Sequence, residues 1–197
     1  MAANKPWAVV VFGPQGSGKS TQVERIASKF DLEEFDTGAI LRERAKTDAQ
    51  LHSQISQGQL VDEETVRDIV EEELLEVRPK KGFVFDGYPR NEVEFDDFSV
   101  LAKEKSWQVV GVFINLSDES AKERLRQRFQ IIDGQKVFRD DDQPAIVQKR
   151  LDTFKQETLP VKKMFEQNFQ IIEIDGEPSM EQVTTEINQA LTPLIHG

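Results

Sequence analysis

Short, almost wholly apolar runs alternate along the chain with longer stretches in which apolar residues return every three or four positions. The runs WAVVVF (7–12), GFVFD (82–86), VVGVFINL (109–116) and QIIEID (170–175) are rich in β-branched and aromatic residues. Strands covered by helices on both sides of a parallel sheet read this way. EEFDT, around Phe35, is a fifth and weaker strand. Between the strands the periodicity predicts helices over 19–30, 63–75, 93–104 and 118–128, one long helix over 144–168, and a last over 179–194. That last helix opens on SMEQ, where Ser179 and Gln182 can form a capping box. Alternating strands and helices imply one α/β domain with its ligand site at the carboxyl ends of the strands. Two segments stand outside the rhythm: 38–60, polar and helical, and 129–142, which carries the turn chemistry of DGQK.

Composition narrows the setting. At 197 residues the chain suits one domain with a substantial core. No apolar run approaches the length of a membrane span, and the first run leads straight into a glycine-rich loop rather than a cleavage site, so neither a membrane anchor nor a secretory signal is expected. With Cys 0, disulfides and thiolate zinc ligands are both excluded, which suits a cytoplasmic location. A net charge of -11 argues against nucleic acid as a partner, because any anionic ligand must find local positive charge. Arginines and lysines gather between positions 122 and 150.

The first strand runs into GPQGSGKST (13–21), which fits G-x-x-x-x-G-K-[ST] with a strand before it and a helical pattern after it. Glycines at 13, 16 and 18 let backbone amides converge on phosphate oxygens, aided by the positive end of the following helix. Lys19 is then placed to reach the β and γ phosphates and Ser20 to reach a magnesium ion, so a nucleoside triphosphate site follows. The fold expected is a P-loop three-layer α/β fold, a five-stranded parallel sheet flanked by helices. FVFDGYPRNEVE (83–94) adds an aspartate, Asp86, at the end of a strand beside this loop, and Arg90 just beyond a turn.

Several motifs in order resemble the adenylate kinase family of nucleoside monophosphate kinases. GPQGSGKSTQ resembles the family's phosphate loop, DTGAILRE its monophosphate-binding segment and FVFDGYPR its signature strand and turn. KERLRQR, FRDDDQ and QKRLDTFKQETLPV resemble its arginine-bearing helix, its lid and the helix after the lid. The resemblance implies an ATP site formed by Gly13, Gln15, Gly16, Ser17, Gly18, Lys19, Ser20, Thr21 and Arg124, the last stacked on the ATP base. It implies a monophosphate site at Thr37, Gly38, Arg42, Leu60, Val61, Gly87, Arg90 and Glu94. Lys19, Arg90, Arg128, Arg139 and Arg150 would gather around the transferring phosphoryl group, and Asp86 would hold Mg2+ through water, with Ser20 near it. Such chemistry needs mainly positioning and neutralisation of developing charge, and the planar fork of arginine grips two phosphate oxygens at once. Of the remaining basic residues, Lys122, Arg126, Lys136 and Lys149 read as solvent charges, and Asp140 to Asp142 as carboxylates that orient Arg139.

The resemblance also divides the chain: a core over 1–36, 67–128 and 143–197, a monophosphate-binding insert over about 37–66, and a short lid over about 129–142. Both inserts would close over the substrates, with glycines 38, 58 and 134 as hinges. A short lid and no cysteine predict no zinc. A monomer with small nucleotides as partners is expected. In function the resemblance implies reversible transfer of the γ-phosphoryl group of MgATP to a nucleoside monophosphate, with AMP the first reading. At Glu94 the sequence departs from the glutamine or asparagine by which family members read the base. A carboxylate only accepts hydrogen bonds, which suits guanine's paired donors better than adenine, so a kinase for GMP, UMP or CMP is the alternative. Thr37 favours adenine, since pyrimidine-preferring members tend to carry alanine there. From a different class, a noncatalytic nucleotide switch would not need Lys19, Asp86, Arg90, Arg139 and Arg150 together.

Overall fold

A computed structural model describes residues 5–57, 61–77, 79, 81–127, 130–132, 135–137 and 143–196 of the protein, with backbone alone for 130–132 and 135–137. Its centre is a five-stranded, all-parallel sheet in the order β2-β3-β1-β4-β7, formed by β1 (Trp7–Phe12), β2 (Glu33–Asp36), β3 (Gly82–Asp86), β4 (Gln108–Asn115) and β7 (Gln170–Asp175). Two short strands, β5 (Gln130–Ile132) and β6 (Gln135–Val137), pair antiparallel in a separate ribbon.

The unbroken apolarity of the central strands has its cause in two packed faces. On β1, Ala8, Val10 and Phe12 point into one core and Val9 and Val11 into the other. The first core is aromatic: Phe83, Phe85, Phe98 and Phe165 are all buried in it. It is covered by α4 (Glu63–Glu76), α5 (Glu92–Glu104) and α8 (Leu159–Asn168). The second core is aliphatic apart from Phe30 and lies beneath α1 (Lys19–Phe30) and α9 (Met180–Ile195). A third, small cluster joins Ala121 and Leu125 of α6 (Asp118–Gln127) to Val147 and Leu151 of α7 (Pro144–Thr153).

The polar segment expected as helical does contain helices, α2 (Thr37–Arg44) and α3 (Ala49–Ser56), capped by Asp36 and Asp48. The helix expected over 144–168 is interrupted. Between α7 and α8 the residues Phe154–Thr158 form a π turn, closed by the Leu159 N–H donating to the Phe154 carbonyl. Pro160 has no N–H for the carbonyl four residues back, so the ladder widens there before α8 resumes. At the carboxyl edge of the sheet, the register aligns Asp36 with Asp86 and Val11 with Asp86, bringing the ends of β1, β2 and β3 to one mouth.

Candidate active site

The loop after β1 is shaped by glycines. Gly16 and Gly18 have φ of 86° and 85°, a region that costs an L side chain roughly 1–2 kcal/mol. At Gly16 space excludes a side chain as well, since a Cβ there would stand 2.9 Å from the Ala121 carbonyl oxygen; one on Gly18 would stand 2.6 Å from Cε of Met180, which would have to move. The loop is therefore wedged between α6 and α9. Gly18 is also the N-cap of α1, whose end has no side-chain cap and no acidic residue in its first turn. Helix-end amides without such partners suit an anion.

A cleft of about 630 Å³ opens over this loop. Of the expected ATP-site residues, Gly13, Gln15, Gly16, Gly18, Lys19, Ser20, Thr21 and Arg124 line it. Ser17 does not: it is buried, and its hydroxyl has no hydrogen-bond partner. Lys19 Nζ donates to the carbonyls of Gly13 at 2.7 Å and Pro14 at 2.9 Å. Ser20 Oγ donates to Asp86 Oδ2 at 2.6 Å, and Asp86 is only 6% exposed. A hydroxyl and one carboxylate are hard oxygen donors of the kind Mg2+ uses when substrate phosphates and water complete its shell. Among the described residues no group of three or more His, Cys, Asp or Glu could hold a metal. The donor set therefore fits an ion that arrives with a nucleotide.

Arg124 is held by backbone. Its Nη2 donates to the carbonyls of Gly176 at 2.8 Å and Glu177 at 3.1 Å, in the loop between β7 and α9. Glu177 in turn accepts from the Ser117 N–H at 2.9 Å and the Ser120 hydroxyl at 2.6 Å, staples this loop to the start of α6, and has its carboxyl pulled down to about 2 by the hydrogen bond from Ser120 and then by Ser117. Nothing in the sequence pattern marks Glu177 or Met180, which lines the cleft. Their roles come from long-range packing alone.

On the other side of the mouth, Arg42 of α2 and Arg90 converge. A Cβ on Gly38 would lie 3.0 Å from Arg42 Nη1 and 3.4 Å from Arg90 Nη2. Gly87, at φ 75°, lies so close to Arg90 Nη2 that a Cβ would collide with it. Gly38, Arg42, Val61, Gly87, Arg90 and Arg150 all line the cleft, joined by Asp36, Leu41, Ile55, Tyr88 and Pro89, which the motifs do not single out. The apolar pair Leu41 and Ile55 sits in helices whose pattern is polar overall, and their spacing alone carries no signal. Thr37 is buried at the start of α2, with its hydroxyl unpaired, and does not line the cleft.

Glu94 is not brought to the cleft lining either. It is 3% exposed, and its carboxylate closes the turn before α5: Oε2 accepts from the Arg90 N–H at 2.7 Å and Oε1 from Asn91 Nδ2 at 3.4 Å. Asn91 Oδ1 returns the contact by accepting from the Glu94 N–H at 2.9 Å, as an N-cap. Burial pushes the Glu94 carboxyl above the usual carboxylate range, against the opposing charge and backbone N–H of Arg90. Lys149, read from sequence as a solvent charge, donates to the Gln57 carbonyl at 2.9 Å and ties α7 to the end of α3. Leu60, Arg128 and Arg139, with Gly58, Gly134 and Asp140 to Asp142, lie outside the described residues.

Comparison with known proteins identifies the family. The family model described as adenylate kinase matches residues 11–170. An adenylate kinase of Pelagibacter ubique is 30% identical over 210 residues, covering 93% of this chain and 98% of the relative. One from Bacteroides fragilis is 32% identical over 192 residues (94% and 98%), and one from Tropheryma whipplei is 33% identical over 175 residues (88% and 91%). A glycine-shaped loop, a carboxylate beside it and two arginines across the mouth thus stand on a chain that matches one family over most of its length: it belongs to the adenylate kinase family and is a nucleoside monophosphate kinase.

Proposed function

We propose that the chain reversibly transfers the γ-phosphoryl group of MgATP to AMP, giving two ADP. The observation that carries this reading is the convergence of Arg42 and Arg90 on one point above Gly38, in the same cleft as Lys19 and the Ser20–Asp86 pair. Two guanidinium groups suit the dianionic phosphate of an acceptor, and the glycine loop suits a polyphosphate donor. In this reading Lys19 leaves its own loop's carbonyls for the donor phosphates, Arg90 and Arg150 neutralise charge developing on the moving group, and Arg124 lies against the donor base. Arg128, at the end of the core segment 67–128, and Arg139, in the lid, are proposed to join them. Mg2+, held from Asp86 and Ser20, would offset charge on the β and γ phosphates; the protein residues supply the positions. The insert over about 37–66 and the lid over about 129–142 are proposed to close over both nucleotides and exclude water. A cytoplasmic monomer is the expected setting.

Adenine is favoured over guanine by the environment of Glu94. An ionised carboxylate facing the base would oppose adenine's ring nitrogen, but both Glu94 oxygens accept hydrogen bonds within their own turn. That removes the objection to AMP which the residue type raises. The relatives' names point the same way. The test is a coupled assay of ADP formation with ATP and, in turn, AMP, GMP, CMP, UMP and dTMP, on the parent and on Glu94→Gln. AMP is expected to be preferred by both. Preference for GMP or a pyrimidine monophosphate in the parent, shifting to AMP in Glu94→Gln, would assign Glu94 to the base and overturn AMP as the acceptor.

A further inference from the structure

Asp36 ends β2 and begins α2, and its two oxygens do different things. Oδ1 accepts the Ala39 N–H at 2.8 Å and so caps the helix. Oδ2 lies 3.7 Å from Arg42 Nη2, within ion-pair range but beyond hydrogen-bonding reach. The position where a Cβ on Gly38 would stand is 3.0 Å from Arg42 Nη1, 3.2 Å from Asp36 Oδ1 and 3.4 Å from Arg90 Nη2. One carboxylate therefore borders the same small space as two guanidinium groups, and Asp36 lines the cleft with them. Capping does not require this charge, since asparagine and serine cap as well as aspartate. What the charge adds is an internal counter-ion for Arg42 at the rim of an anion site.

We propose that Asp36 sets the affinity of the acceptor-phosphate site. By offsetting part of the positive charge of Arg42, it weakens the hold on the monophosphate and favours its exchange. It is a positioning and affinity-setting residue, not a catalytic one, and the proposal rests on the reading of Arg42 and Arg90 as the acceptor-phosphate site. With side-chain exposures of 48% for Arg42 and 33% for Asp36, the pair is screened by solvent, so the effect is modest.

Asp36→Asn keeps the cap and removes the charge. Binding of AMP, or of whichever monophosphate the coupled assay prefers, and of ATP is measured by calorimetry at low and high salt. The expected result is a monophosphate Kd lowered by about two- to fivefold, an unchanged ATP Kd, an unchanged thermal midpoint, and a gain that shrinks at high salt. Asp36→Ser, another good cap, repeats the gain. Unchanged or weaker monophosphate binding in both variants overturns the proposal. Arg42→Ala separates the role of Asp36 from that of the acceptor site. If it weakens monophosphate binding while the Asp36 variants do nothing, only the role of Asp36 falls. If it too leaves binding unchanged, the acceptor-site reading falls with it.

Discussion

The two halves of the cleft are built by different means. The half proposed to hold the donor is made of backbone: positive-φ glycines wedged by α6 and α9, a bare helix end, and an arginine held by two carbonyl oxygens. The half proposed to hold the acceptor is made of side-chain charge: Arg42, Arg90 and Asp36 around a glycine, with Glu94 securing the Arg90 turn from behind. Backbone geometry is set by packing and responds to volume; charge clusters respond to single atoms, salt and pH. The difference implies that the donor half fails when its shape changes and the acceptor half when its charge does.

The most severe break is expected on the acceptor side. Arg90→Ala should lower turnover by about a thousandfold, as for arginines that stabilise phosphoryl transfer, while thermal unfolding stays near that of the parent; near-normal turnover would remove Arg90 from the reacting groups. Gly18→Ala tests shape on the donor side. It forces a side chain into φ 85° and against Met180, so stability should drop by about 1–2 kcal/mol in denaturant titrations and the ATP KM should rise, with the monophosphate KM little changed. Equal rises in both would dissolve the distinction between the halves.

Glu177→Ala is gentler, because this carboxylate only staples the loop that holds Arg124 to Ser117 and Ser120 at the start of α6. A rise of about threefold in the ATP KM alone is expected. A depressed carboxyl gives a contribution present above its ordinary value of 4.5 and lost only as the pH falls toward about 2, so the ratio to the parent should stay constant through neutral and mildly acidic pH. Glu94 carries the opposite sign. Its carboxyl is raised in the folded state, so it contributes stability fully below pH 4.5, lost as the pH climbs through the raised value. Glu94→Gln cannot ionise, and its thermal midpoint relative to the parent should rise as the pH increases from 4.5. A flat difference across that window would mean that burial does not govern this carboxyl.

How much of the molecule is legible in its sequence depends on the range of the interaction involved. The glycine loop, the strands and the arginines of TGAILR and DGYPR are local patterns, and each occupies the element that its spacing implies. The interruption of the helix after position 153 is not legible although Pro160 is in plain view, because a proline's cost can be met by kinking, ending or widening a helix, and neighbouring packing decides which. The motif position of Glu94 suggests that it faces a base; the contacts it makes instead are local ones to the Arg90 N–H and to Asn91, the cap of α5, so two local patterns compete for the same carboxylate.

By itself the sequence determined the local chemistry: which residues can bend through positive φ, which runs form the strands of the sheet, and where the glycine loop and the arginines lie along the chain; that QIIEID is the half-exposed edge strand β7, and not buried on both faces as expected, was decided by the strand order. Tertiary structure decided which distant groups share the cleft. It brought Arg90 to the space beside Gly38 that Asp36 and Arg42 border, Glu177 onto the start of α6, and Met180 over Gly18. The physical reason is that local conformation is governed by neighbours a few residues away, whereas the field at a side chain is summed over groups that only the folded sheet brings together.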